Sequence, residues 1–90
     1  MRERMTPDRA ETIGLNGLAF LVAMPEQLDR FMLGAGLELS ALRARASDPD
    51  FLQAVLDFLL RDDAMLAEFC HDQGLDARDI HMAHRVLSGS

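Results

Sequence analysis

Lysine is absent from this 90-residue chain, cysteine occurs once, and the longest purely apolar run is LAFLVAM at 18–24. Each shortage excludes something. One cysteine, Cys70, can form no internal disulfide, which leads us to expect a reducing, cytoplasmic setting. A run as short as LAFLVAM cannot cross a bilayer. The opening MRERMTPDRAE has no apolar stretch behind its arginines and does not read as a signal peptide. β-Branched residues are few and no useful alternating apolar run occurs, so strands are not expected. All nine basic residues are arginine against fifteen acidic ones, a net charge of −6. That balance disfavours broad binding to nucleic acid or to anionic membrane, because both require a positive surface. An all-arginine, Ala- and Leu-rich composition points to a GC-rich genome, which concerns codons and not function.

Helix signals fill the chain. Hydrophobic residues make up 49% of it, enough for one modest core in a single domain over 1–90. In TPDRAE, Thr6 is placed to cap a helix that begins at Pro7, with Asp8 and Glu11 at its positive end. Ile13, Gly17, Phe20, Leu21 and Met24 then recur at helical spacing. Pro25 restarts the chain, and Leu28, Phe31, Met32 and Ala35 form the next stripe, with Gly34 and Gly36 offering a left-handed end. A third helix is expected over 39–46, with Leu39, Leu42 and Ala46 on one face. Asp48 and Pro49 open a fourth carrying Phe51, Leu52, Val55, Leu56 and Leu59. Asp62 caps a fifth that ends at Gly74, and Asp76 with Asp79 opens a sixth carrying Ile80, Ala83 and Leu87.

Moved by 38 positions, the chain matches itself. Leu18 falls on Leu56, Phe20 on Phe58, Leu28 on Leu66, Phe31 on Phe69 and Gly36 on Gly74. The expected fold is therefore all-α, with six short helices as two pseudo-repeated three-helix units, about 11–46 and 49–87, around one shared core.

The stretch FCHDQGL at 69–75 looks like chemistry, with a thiol, an imidazole and a carboxylate in a row. The internal match lays it on FMLGAGL, so Cys70 takes the place of Met32 and shares an inward face with Leu66 and Phe69. His71 and Asp72 follow at about 100° steps around the helix and diverge from it. FCHDQGL reads as a helix end. His81 and His84, three residues apart, lack any recognised zinc spacing with His71 or Cys70. Asp62–Asp63 and Asp48/Asp50 stand at helix starts, where capping accounts for them. Gly34-x-Gly36 follows a helix instead of opening one, so it is no phosphate loop. Ser40, Ser47, Ser88 and Ser90 lie in no nucleophile motif. No catalytic residue, cofactor or metal is expected.

Two binding readings remain. Met24, Leu33, Phe58 and Met82 lie off the main stripes, so they are the candidates for an apolar surface that takes a protein partner or a second copy. The alternative treats Gly74 as the turn glycine of a helix-turn-helix, with Cys70, Leu75 and Ile80 at the small and apolar positions. The last helix would then present Arg78, His81, Arg85 and, at its side, His84 to a major groove. Asp76 and Asp79 oppose phosphate there, and the first unit offers only Arg43 and Arg45 behind a bulky Met32. The protein partner ranks first.

The segments LAFLVAMPEQLDRFM, GLELSALRARASDPDFLQAVLDFLL and FCHDQGLDARDI cover most of 18–80. In them the chain resembles a family of short bacterial proteins, chiefly alphaproteobacterial, classed as a domain of unknown function. DPDFLQAVLDFLL is the most specific part. Where the resemblance leads one to expect Asp before Pro25, this chain has Met24. The resemblance implies an all-helical fold and carries over no activity, cofactor or site.

Overall fold

A computed structural model describes residues 4–89. Six helices follow in order: α1 (Pro7–Val22), α2 (Pro25–Ala35), α3 (Leu42–Arg45), α4 (Pro49–Leu60), α5 (Asp63–Gln73) and α6 (Ala77–Leu87). No strand occurs among the described residues.

The helix starts follow local capping chemistry. Thr6 Oγ1 accepts from the Arg9 N–H at 3.1 Å, Asp48 Oδ1 from the Asp50 N–H at 3.0 Å, and Asp62 Oδ1 from the Met65 N–H at 3.0 Å. Each satisfies one of the orphan donors at a helix start and contributes about 1 kcal/mol. At α6, Asp79 Oδ2 accepts from the Asp76 N–H at 3.0 Å. Met24 precedes α2 without a side-chain cap, and Pro25 at the first position leaves one donor fewer to satisfy.

α2 and α5 end alike. Gly36 has φ 67° and Gly74 φ 65°, the left-handed region that only glycine enters cheaply. The next residue closes the turn in both, Leu37 N–H to Met32 O at 3.0 Å and Leu75 N–H to Cys70 O at 2.9 Å.

The third helix departs from expectation. In place of one helix over 39–46, Leu39–Ala41 forms a 3-10 turn and α3 adds a single α-turn. Neither piece has a side-chain cap or a buried residue, so little packing energy holds a longer helix together. Leu42 and Ala46 pack against the core, but Leu39 is 66% exposed.

The core is made where α1, α4 and α6 pack on one another, with α2 leaning on α1 and α4, and α5 on α4 and α6. α4 lies at the centre and buries Phe51, Leu52, Val55, Leu56 and Leu59. Burial of each such side chain is worth about 1.5–3 kcal/mol. Phe69, Leu21 and Ile80 bring α5, α1 and α6 into the same core. None of the described buried residues is polar or charged. Gly14 and Gly17 are both buried on the α1 face that meets α4, where missing side chains let the two backbones approach.

Three aromatic pairs cross between the halves of the chain, Phe31 with Phe51 at 5.7 Å and two that match each other. Phe20 on α1 meets Phe69 on α5 edge-on at 5.3 Å, and Phe58 on α4 meets Phe31 on α2 edge-on at 5.5 Å. Positions 20 and 58 are 38 apart, as are 31 and 69, so each pair is the counterpart of the other under the internal match.

Candidate functional site: a groove between α2 and α4

The FCHDQGL residues do not assemble a site. Cys70 is buried on the inner face of α5. Desolvation, helped by the nearby charges of Asp76 and Asp79, pushes its thiol above the ordinary thiol range. Such a thiol is a poor nucleophile. His71 and Asp72 point to solvent. Among the described residues no three His, Cys, Asp or Glu side chains come together as a metal site would need.

His81 and His84 part company on α6. His81 is exposed, whereas the half-buried His84 turns toward α4. Its Nε2 lies 3.5 Å from Asp57 Oδ1 and 3.4 Å from Gln53 Nε2. Asp57 also pairs with Arg61 at 2.6 Å, one turn further along α4. This small polar row spans α4 and α6. The exposed stripe of α6 carries Arg78, His81 and Arg85, and neither arginine forms an ion pair among the described residues.

The off-stripe apolar residues separate into two kinds. Leu33 is 85% exposed. Met24, Phe58 and Met82 are half-buried and pack against the core as well as facing out. They are not brought together as one patch: Met82 is on α6, and Met24 lines a shallow depression with Pro25, Glu26 and Gln27. Phe58 is different, because it walls a groove.

That groove, about 260 Å³, runs between α2 and α4. α2 contributes Arg30, Phe31, Gly34 and Ala35, and α4 contributes Ala54, Asp57 and Phe58, with Arg61 just beyond its end. Small residues create it. Gly34, Ala35 and Ala54 line it, where α2 and α4 also meet through the Phe31–Phe58 ring pair. The groove continues past Arg30, Phe58 and Arg61 to a second hollow of about 190 Å³ bounded by Gln27, Asp62 and Met65. Gln27 Oε1 is buried there without a hydrogen-bond partner. Arg30 forms no ion pair among the described residues, whereas Arg61 is engaged by Asp57.

Sequence reasoning found Phe58 but not Arg30, Gly34, Ala54 or Arg61. The available signal was the spacing 54, 58, 61 on α4, one helical row beside the buried row 52, 55, 56, 59. Leu15 and Val22, at 44% and 48% exposure, are further apolar side chains left open that periodicity had not singled out, and Leu39, placed by periodicity on the stripe of the third helix, is 66% exposed.

The protein is a small all-α domain, and no helix among its described residues is long and apolar enough to cross a membrane. The family model described as "Protein of unknown function (DUF3572)" matches residues 7–90, and the chain belongs to that family. No curated protein and no solved structure matches it.

Proposed function

We propose that this domain is a non-enzymatic cytoplasmic module that binds another protein, seating an apolar segment of it in the groove between α2 and α4. The observation that carries this reading is the groove's composition: Phe31, Phe58 and three small residues, Gly34, Ala35 and Ala54, line it, and α2 also carries the 85% exposed Leu33. Apolar surface gathered next to a concavity costs a protein solubility unless something covers it. Grooves between helices accept an amphipathic segment through a few anchoring side chains. The same proposal takes the two three-helix units as copies of one element. Its support is the shared bounds of α2 and α5, 25–35 and 63–73, and the two counterpart ring pairs.

The test is capture of partners from the protein's own cells with tagged full-length chain, nuclease-treated, with wild type and Gly34→Leu run in parallel. A Cβ at Gly34 meets nothing within 4 Å, so leucine there occupies the groove without disturbing the core. A stoichiometric protein retained after nuclease by the wild type and lost with Gly34→Leu is the expected result. A partner held equally by both would remove the groove from the account.

The stripe Arg78, His81 and Arg85 on α6 favours one second reading, a nucleic-acid contact. It predicts binding to duplex DNA that falls steeply with salt and is lost in the double variant Arg78→Ala, Arg85→Ala. Binding unchanged by that double variant would end it.

A further inference from the structure

The groove has a counterpart elsewhere in the molecule, and the comparison indicates what it takes. Under the 38-residue match, the α2–α4 face corresponds to the face between α5 and α1, with Phe31–Phe58 answering to Phe69–Phe20. Ala54 and Ala35 correspond to Asn16 and Gln73. Those two side chains bridge the counterpart face, Asn16 Nδ2 donating to Gln73 Oε1 at 2.9 Å. With alanines in their places no bridge forms, and the groove stays open.

The charges differ as well. Arg30 corresponds to Glu68, Gly34 to Asp72, and Arg61 to Ala23. The bridged face therefore carries carboxylates, while the open one carries two guanidiniums, with Asp57 engaging Arg61 and Asp62 at the adjoining hollow. In a chain of net charge −6, Arg30 lines both hollows and forms no ion pair among the described residues. We infer that the groove's occupant is an acidic segment of a partner protein, an apolar anchor seated against Phe58 with a carboxylate beside it on Arg30 and Arg61. This rests on the docking reading above and adds the chemistry of the partner. A guanidinium at the rim of an apolar groove both steers an anionic segment and pairs with it through a planar fork.

The experiment is selection of random displayed peptides against the full wild-type chain, followed by anisotropy titration of the selected sequences as synthetic peptides. Expected are peptides combining Asp or Glu with a large apolar residue. Their binding should be abolished by Gly34→Leu, weakened about tenfold by Arg30→Glu, and restored to Arg30→Glu when the peptide carboxylates are replaced by lysine. Peptides blocked by Gly34→Leu but indifferent to Arg30→Glu would overturn the acidic partner and leave the docking site standing. Peptides indifferent to Gly34→Leu, or no selected peptides at all, would overturn both. A concentration-dependent dimer abolished by Gly34→Leu would put a second copy in the groove and overturn the partner segment.

Discussion

Gly14 on α1 faces Leu52 on α4 so closely that a Cβ on the glycine would stand 2.9 Å from the Cβ of Leu52. Real carbon pairs do not sit at that distance, and the obstructing atom is the root of a side chain in the middle of the core, not a movable tip. Gly14→Ala would gain about 1 kcal/mol of helix propensity. Forcing α1 away from α4 costs about 1–3 kcal/mol, so the expected outcome is net destabilisation. Gly17→Ala should be milder, because its Cβ would meet the ends of Leu59 and Val55 at 3.2 Å, which have more freedom to shift. Urea unfolding of both variants checks the order: the Gly14 midpoint falls furthest, with an unchanged slope.

Two other glycines give opposite signs. Gly34 lies inside α2 with ordinary helical backbone and open space around it, so Gly34→Ala should raise stability by about 0.5–1 kcal/mol. Gly74 has φ 65° and equally open space, so Gly74→Ala should lower it by about 1–2 kcal/mol through backbone strain alone. Thermal unfolding of the pair separates the two causes, since neither alanine meets a neighbour.

These glycines also show what was legible in the sequence. Thr6, Asp48, Asp62 and Gly74 mark helix ends by chemistry confined to one turn, and each stands where the pattern placed it. Gly14 left no apolar signal, because its contribution is a missing side chain, and only the approach of α4 gives that absence meaning. Leu39 fits an inward stripe by spacing, yet no helix packs over it, and exposure is decided by such tertiary contacts. Leu33, Phe58, Met24 and Met82 were recognisable as off-stripe, but periodicity cannot say which of them a neighbouring helix covers. Arg30 and Arg61 lie far apart in sequence and share a groove only because α2 crosses α4.

The thiol of Cys70 gives a pH-dependent prediction. Burial raises its pKa above the ordinary value of 9.0, assisted by Asp76 and Asp79. Below about pH 9 the folded and unfolded chains both keep the proton and this contribution to stability is complete. As pH rises further the unfolded thiol ionises first, the folded state then holds more protons, and stability declines until the folded thiol titrates too. Stability measured from pH 7 to 10.5 should fall more steeply in the wild type than in Cys70→Ala. Parallel slopes would contradict the assignment. The same burial predicts slow modification of the native thiol by a disulfide reagent and rapid modification in denaturant.

Asp62 ties stability to the groove. Its carboxylate caps α5 through the Met65 N–H at 3.0 Å, and the residue also lines the second hollow beside Arg30 and Arg61. Asp62→Ala removes the cap and should cost about 1 kcal/mol. Asp62→Asn keeps an oxygen for the same N–H, and asparagine caps about as well as aspartate, so stability should stay near wild type. It also removes one negative charge next to the two guanidiniums. An acidic peptide seated in the groove should then bind about two- to threefold more tightly, a gain that shrinks as salt rises. Titration of one selected acidic peptide into wild type and Asp62→Asn at low and high salt checks this. Equal affinities at low salt would mean that the carboxylates of the peptide lie away from Arg30 and Arg61.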